Sequence, residues 1–229
     1  MTVHVTNVSN RAAANVDAVP IEPVPTTSGV YRAALKRLVD IAFVVLTAPF
    51  VVPFVALIAL IVSFDGNSPF FRQERVGKDG RRFTLWKMRT MVPDAEALLT
   101  SYLDQNETAR AEWTSKQKLT NDPRITRLGS ALRRTSLDEL PQLYNVLIGD
   151  MSLVGPRPMM PSQQSLYPGR AYYKLRPGIT GPWQVSQRHE SDFSDRARYD
   201  DFYNAAMSFT LDIRILVRTV FAVIRGTGC

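Results

Sequence analysis

The stretch Ser136-Leu137-Asp138-Glu139-Leu140-Pro141 sets two carboxylates side by side ahead of an apolar run, with Arg133 and Arg134 just upstream. Nearby cations favour the ionised form of a carboxylate and lower its pKa. An ionised aspartate is a competent nucleophile toward phosphorus, and an adjacent glutamate can share metal binding and proton handling. The same residues also fit a plain helix start: Ser136 and Glu139 have the spacing of a capping box, and acidic groups suit the positive end of a helix. Pro141 offers a variant of that start. The residue before a proline avoids the α region, so the helix can begin at Pro141 and leave Asp138 and Glu139 in the loop ahead of it.

Several arginines sit beside rigid turn residues. Arg157 lies between Pro156 and Pro158, Arg176 precedes Pro177-Gly178, and Arg89 belongs to Trp86-Lys87-Met88-Arg89-Thr90. A guanidinium fork suits bidentate phosphate contacts. Any one of these arginines reads equally well as a surface charge; the set, with paired carboxylates, reads as a diphosphate site. The histidines are His4 and His189 and the single cysteine is Cys229. That excludes an intrachain disulfide and argues against a histidine dyad or a histidine-based zinc site. No G-x-S-x-G, Walker loop, G-x-G-x-x-G or D-x-D occurs. Carboxylate and metal chemistry remain.

The elements that must hold these groups follow from composition. The chain has 229 residues, a formal net charge of +7 and 45% hydrophobic residues. Its size suits one catalytic domain with small additions. A basic chain seeks nucleic acid, acidic lipid headgroups or phosphorylated substrates. Residues 1–30, with Pro20, Pro23 and Pro25, read as a disordered leader without the basic-then-apolar pattern of a secretory signal. Ile41 to Phe64 carries no charge. As a straight helix it would be about 36 Å long, enough to span a bilayer. Pro49 and Pro53 fall in its middle and predict a bend, with Thr47 placed to help the carbonyls they free. Basic residues flank it on both sides, Arg32, Lys36 and Arg37 before and Arg72, Arg75, Lys78, Arg81 and Arg82 after. The positive-inside rule puts both ends on one face. A straight span and a re-entrant hairpin both remain open at this level. Beyond Phe71 the pattern predicts a strand near Arg82–Met88 and helices near 93–118, 124–134, 140–148, 194–206 and 211–224, the last basic and amphipathic.

Taken in order, Gln73-Glu74-Arg75-Val76-Gly77, Lys87-Met88-Arg89-Thr90-Met91, Ser136 to Leu143, Gly149-Asp150-Met151-Ser152, Val154-Gly155-Pro156-Arg157-Pro158 and Arg176-Pro177-Gly178-Ile179-Thr180-Gly181 resemble the bacterial sugar transferases, the monotopic polyprenyl-phosphate phosphoglycosyl transferases. The resemblance runs from about Arg32 to the C-terminus. Asn121-Asp122-Pro123-Arg124 and Trp183-Gln184 look most like the exopolysaccharide-priming branch, which uses glucose or galactose. The resemblance implies a mostly helical α+β chain: a re-entrant membrane hairpin over 31–71 and a catalytic domain over 72–229 on the cytoplasmic face of the inner membrane. It implies that Asp138 attacks the sugar-bearing phosphate of a UDP-sugar, UMP leaves, and polyprenyl (undecaprenyl) phosphate takes the phosphosugar from the enzyme. Glu139 completes the dyad, and Mg2+ sits beside Asp138. Arg75, Lys87, Arg89, Arg133, Arg157, Pro158, Arg176 and Gly178 match the substrate-binding blocks. The partners implied are the donor, the lipid acceptor and membrane lipids, with oligomeric state open.

This sequence departs from the family pattern at Ala48-Pro49, where Ser-Pro is usual, at Met88, at Pro182 and at Gln187-Arg188-His189. The last stretch is expected near the sugar. Competing classes are a membrane-tethered nucleic-acid binder, a non-catalytic scaffold and a nucleotide-sugar hydrolase. No recognition helix, zinc pattern or RNA-binding aromatic motif supports the first.

Overall fold

A computed structural model describes residues 28–116, 119–186 and 193–224. The leader up to residue 27 and the Gln187-Arg188-His189 stretch lie outside the described residues. The protein is mostly helical with a few short strands.

Ser28–Val30 and a π-helical stretch, Tyr31–Leu35, lead into α1, Lys36–Val62. Within Tyr31–Asp65 the mean hydropathy reaches 2.7, and this helix is long and apolar enough to cross a membrane. Helical register continues through Pro49 and Pro53. Thr47 Oγ1 donates to the carbonyls of Phe43 (2.8 Å) and Val44 (3.3 Å). Pro49 frees the carbonyl four residues back, that of Val45, so Thr47 does not act as the sequence predicted; its hydroxyl serves the carbonyls just before.

Both ends of α1 are tied to the rest of the chain. At the start, Arg37 donates to the carbonyls of Val146 (2.5 Å) and Leu147 (2.9 Å), and Asp40 accepts from the Leu153 amide (3.1 Å). At the end, Ile58 and Val62 pack with Met88 and Leu132, and Arg89 donates to the Val62 carbonyl (2.9 Å) and pairs with Asp65 (2.6 Å).

Strands β1, Phe70–Val76, and β2, Arg82–Met88, form an antiparallel hairpin in which Arg75 faces Phe83 and Phe71 faces Lys87. The predicted helix over 93–118 is two: α2, Ala95–Gln105, and α3, Glu107–Lys116. Asn106 between them is extended, and its side-chain oxygen accepts from the Ala109 amide (3.0 Å). An asparagine that caps a new helix outcompetes continuation of the old one.

Helix α4, Arg127–Arg134, starts at Thr126, whose hydroxyl accepts from the Gly129 amide at 2.9 Å. A Cβ on Gly129 would sit 2.0 Å from the Thr90 carbonyl oxygen, so only glycine lets α4 approach the end of β2 this closely. A tight 3-10 turn, Leu137–Glu139, joins α4 to α5, Gln142–Ile148. Strands β3, Ser152–Val154, and β4, Gly178–Thr180, pair in parallel. Two helices close the fold: α6, Arg196–Ala206, and α7, Phe209–Ile224. The main core gathers Tyr31 from the π-helical stretch and Val44 from α1 with Phe83, Leu85, Val146, Leu153, Tyr203 and Ile215, so helix and domain share one apolar interior. On α7, Phe209, Ile213, Val217, Val220, Phe221 and Ile224 stay exposed, while Ile215 is buried in the main core and Leu211 packs against it, so the helix both packs on the core and presents a bare apolar face.

Candidate active site

The dyad is built by a local backbone conflict. Ser136 adopts a left-handed conformation (φ 56°) and makes no side-chain cap, so the capping-box reading is wrong. The Glu139 amide donates to the Ser136 carbonyl (3.2 Å), and α5 starts only after Pro141. Contrary to the sequence expectation, Leu140 before the proline is helical (φ −55°, ψ −37°); Pro141 interrupts the ladder through its missing N–H and suits the first helical turn. Asp138 and Glu139 are therefore left on a one-turn elbow between two helices.

Lys87, near the end of β2, reaches both carboxylates: its Nζ lies 2.7 Å from Glu139 Oε1 and 3.7 Å from Asp138 Oδ2. Asn145, fully buried on α5, fixes that reach. Its oxygen accepts from the Trp86 amide (3.1 Å), and its nitrogen donates to the Thr84 carbonyl (2.7 Å), locking β2 against the helix that follows the dyad. Arg133 Nε donates to Thr90 Oγ1 at 2.8 Å. Arg157, held by its prolines, places Nη1 3.7 Å from Glu139 Oε1. Arg75 donates to the Pro158 carbonyl (3.2 Å) and to Gln73 Oε1, so Pro158 acts through its backbone.

The electrostatics differ from the sequence reading in one respect. Cations do flank Asp138, yet its carboxyl is pushed above the ordinary aspartate range. Burial is the main cause; Lys87 pulls the other way, Glu139 adds to the rise, and Arg133 and Arg157 oppose it. Asp138 is 6% exposed, and withdrawing a carboxylate from water costs more than one lysine at 3.7 Å returns. The result is a desolvated, more basic carboxylate.

Three other predicted residues are engaged elsewhere. Arg89 holds the end of α1 through Val62, Ser68 and Asp65. Arg176 Nε donates to the Gly149 carbonyl (2.9 Å), closing the exit of α5. Gly178 is a packing position: a Cβ there would sit 2.1 Å from the Gly155 amide nitrogen, where β3 and β4 cross at van der Waals contact.

Sequence reasoning missed Asn145, Thr90, Arg196 and Asp200. Arg196 was readable only as a residue in the first turn of the helix predicted near 194–206. Its guanidinium carbon lies 4.2 Å from the ring centroid of Trp183 and 4.5 Å from that of Phe193. Burial lowers its pKa to about 9, with Arg157 contributing, and lowers that of Arg75 to about 10, again with Arg157. Asp200 accepts from the Tyr167 hydroxyl (2.7 Å), and burial pushes its carboxyl up to about 7.

Beside this polar bowl lies a cavity of about 510 Å³. Val44, Ala48, Val51, Val52 and Val55 of α1 form one wall, and Leu140, Pro141, Leu143, Tyr144 and Leu147 form the other, with Phe70 and Trp86 at its edge. Leu140 follows Glu139 directly in the chain. One elbow thus carries acid groups at one end and hydrocarbon at the other.

The family model described as "Bacterial sugar transferase" matches residues 31–226. The UDP-galactose-lipid carrier transferase of Erwinia amylovora is 42% identical over 196 residues, which are 85% of this chain and 41% of that protein. The UDP-glucose:undecaprenyl-phosphate glucose-1-phosphate transferase of Escherichia coli K12 is 37% identical over 229 residues, covering 94% of this chain and 46% of that one. Here the chain spans less than half the length of its relative. The exopolysaccharide production protein ExoY of Sinorhizobium fredii is 37% identical over 211 residues and is covered almost fully, at 90% of this chain and 93% of that protein. This chain belongs to the bacterial sugar transferase family.

Proposed function

We propose that the chain transfers a hexose 1-phosphate, glucose or galactose, from a UDP-sugar to polyprenyl (undecaprenyl) phosphate, releasing UMP and initiating exopolysaccharide repeat-unit synthesis. The observation that carries this reading is the adjacency of a carboxylate pair ringed by Lys87, Arg133 and Arg157 to an apolar cavity opening one residue further along. A phosphate bowl against a hydrocarbon cleft fits a substrate with a phosphate head and an isoprenoid tail. The names of the relatives agree with both substrates.

In the first step Asp138 Oδ attacks the sugar-bearing phosphorus. The bond to the bridging oxygen breaks, UMP leaves with that electron pair, and an aspartyl phosphosugar ester remains. In the second step an oxygen of the lipid phosphate attacks the same phosphorus, and the Asp138–O–P bond breaks to restore the carboxylate. Desolvation serves the first step, because the raised basicity of Asp138 strengthens it as a nucleophile once ionised. Lys87 bridges the two carboxylates and offsets their repulsion. Glu139 accepts the proton of a monoprotonated lipid phosphate.

Among the described residues, no group of three or more His, Cys, Asp or Glu side chains forms a metal cage. That fits Mg2+ brought by the donor, which is ordinarily held by one or two carboxylates plus substrate phosphates. Asp138, with Glu139 beside it, would supply the protein ligands, and the ion would neutralise diphosphate charge.

The placement of α1 supports a re-entrant hairpin. Its 27 residues would run about 40 Å if straight, yet both ends bond to one polar domain. A spanning helix would separate those ends across the bilayer. We place the domain on the cytoplasmic face, where nucleotide sugars are made and where the basic flanks belong.

The test is to incubate the purified protein with labelled UDP-sugars, undecaprenyl phosphate and Mg2+. The expected result is one UMP per chloroform-soluble sugar product. UMP with water-soluble sugar phosphate would identify a hydrolase, and no turnover of any nucleotide sugar would leave a scaffold. Accessibility of tags at residues 36 and 66 from one face only is expected; opposite faces would restore the spanning helix.

A further inference from the structure

Arg75, Arg157 and Arg196 come together from three separate segments: β1, the Pro156–Pro158 loop and the first residue of α6. Each of Arg75 and Arg196 is destabilised by the charge of Arg157, and Arg196 also by that of Arg75. Guanidinium groups stay charged at neutral pH. Holding three of them within mutual reach is unfavourable unless an anion is shared. The carboxylates that face them are Glu139, which also serves Lys87, and Asp200, whose own carboxyl is pushed up to about 7.

Donors are also left over. The Nε atoms of Arg75 and Arg196 are shielded from water and have no hydrogen-bond partner. A buried N–H without a partner carries a desolvation penalty that a bound acceptor would remove. Arg196 is held by aromatic contact, 4.2 Å from Trp183 and 4.5 Å from Phe193, and its Nε has no hydrogen-bond partner among the described residues. This differs from Arg37, Arg89, Arg124 and Arg176, whose donors go to carbonyls or to a neighbouring aspartate.

The cluster has a direction. Lys87 lies 3.7 Å from Asp138, Arg157 lies 3.7 Å from Glu139, Arg75 bonds the carbonyl of Pro158 beside Arg157 in the chain, and the charge of Arg157 acts on Arg196. The cations therefore extend from the dyad past Glu139. In an in-line displacement the leaving oxygen departs opposite the attacking one. As the bridging bond breaks, the departing nucleotide phosphate gains a full negative charge, and that charge develops away from Asp138.

We propose that Arg196, with Arg75 and Arg157, forms the subsite for the departing phosphate of the nucleotide monophosphate. This rests on the transferase reading above and adds to it a residue outside the dyad and its immediate cations. Arg196 acts as a binding residue for the leaving group, and Trp183 and Phe193 position it.

The test uses full-length protein in detergent and three readouts: UMP inhibition of transfer, KM for undecaprenyl phosphate, and direct UMP binding by the Asp138→Asn variant, which needs no turnover. Arg196→Gln removes a charge-assisted contact and is expected to weaken UMP inhibition and UMP binding about tenfold. The lipid KM should stay within about twofold of its starting value. Arg196→Lys keeps charge but loses the planar fork, and is expected to weaken UMP binding less than Arg196→Gln does. It also serves as the measured variant if Arg196→Gln does not fold. Unchanged UMP binding in the folded variant would overturn the subsite. A raised lipid KM with unchanged UMP inhibition would also overturn it, by assigning the cluster to the lipid phosphate. If the wild-type protein transfers no sugar yet Arg196→Gln still loses UMP binding, the transferase reading fails and the nucleotide subsite stands.

Discussion

The polar bowl around Asp138 and the apolar cleft beside it begin within three residues of each other, yet they are built in opposite ways. The bowl is assembled from charged side chains whose burial is only partly offset by polar contacts: Lys87 to Glu139 at 2.7 Å, Arg157 to Glu139 at 3.7 Å, Arg133 to Thr90 at 2.8 Å. The cleft is assembled from aliphatic groups at helical spacing, Val44, Ala48, Val51 and Val55 of α1, against one face of α5. The difference teaches that the Asp138–Pro141 elbow acts as a boundary. It holds ionic groups on one side and apolar groups on the other, as the proposed reaction between a nucleotide sugar and a membrane lipid requires.

The largest expected effect tests the bowl. Asp138→Asn removes the charge of the proposed nucleophile and is expected to abolish UMP release while leaving the melting temperature near that of the wild type, read by a UMP-release assay and thermal unfolding. Near-normal activity would remove Asp138 from the chemistry.

Lys87→Met comes next. Transfer should fall about 100-fold, the scale of losing one charge-stabilising donor. The pH profile should move as well. In the proposed mechanism Asp138 must be ionised to attack, and burial already pushes its carboxyl above the ordinary aspartate range. The acidic limb of kcat/KM is therefore expected above that range in the wild type. Removing Lys87, which lowers this pKa, should shift the limb to still higher pH. A limb that stays in place or moves down would contradict the electrostatic account.

The cleft is tested by Val51→Trp, which fills it from the α1 wall. KM for undecaprenyl phosphate should rise about tenfold, with UMP release in single turnover without acceptor unchanged within about twofold. Equal damage to both steps would dissolve the distinction between bowl and cleft.

The smallest effect concerns an arginine that belongs to neither. Arg176→Gln loses a bond to the Gly149 carbonyl. About 0.5–1 kcal/mol of stability should be lost, with kcat/KM within about twofold. A 100-fold loss of activity would return Arg176 to the substrate site.

The two regions also differ in how far the sequence discloses them. The dyad is legible because Pro141 and the paired carboxylates act locally, and the surrounding strand and helices follow from periodicity. The arginines are legible as phosphate binders only by type. Nothing within Trp86-Lys87-Met88-Arg89 separates Lys87, which meets Glu139, from Arg89, which closes a helix end. Alternation would put Lys87 and Arg89 on one face; the division arises because β2 ends at Met88, before Arg89, while Asn145 of α5 fixes the strand at Thr84 and Trp86. The break at Asn106 depends on a cap competing with helix continuation, which composition does not decide. The rise in the pKa of Asp138 follows from burial, which charge spacing does not encode. The cleft wall was visible only as part of an uncharged segment, because its second wall arrives from residues about 90 positions away, beyond the reach of any local pattern.

The central claim is that Asp138 carries the phosphosugar between donor and lipid. Purified protein quenched after incubation with UDP-sugar in the absence of lipid acceptor, digested and read by mass spectrometry, tests it directly. The account predicts a hexose-phosphate mass on the peptide containing Asp138, lost when undecaprenyl phosphate is added before the quench and absent from Asp138→Asn. Product formation at full rate with that peptide always unmodified would contradict it.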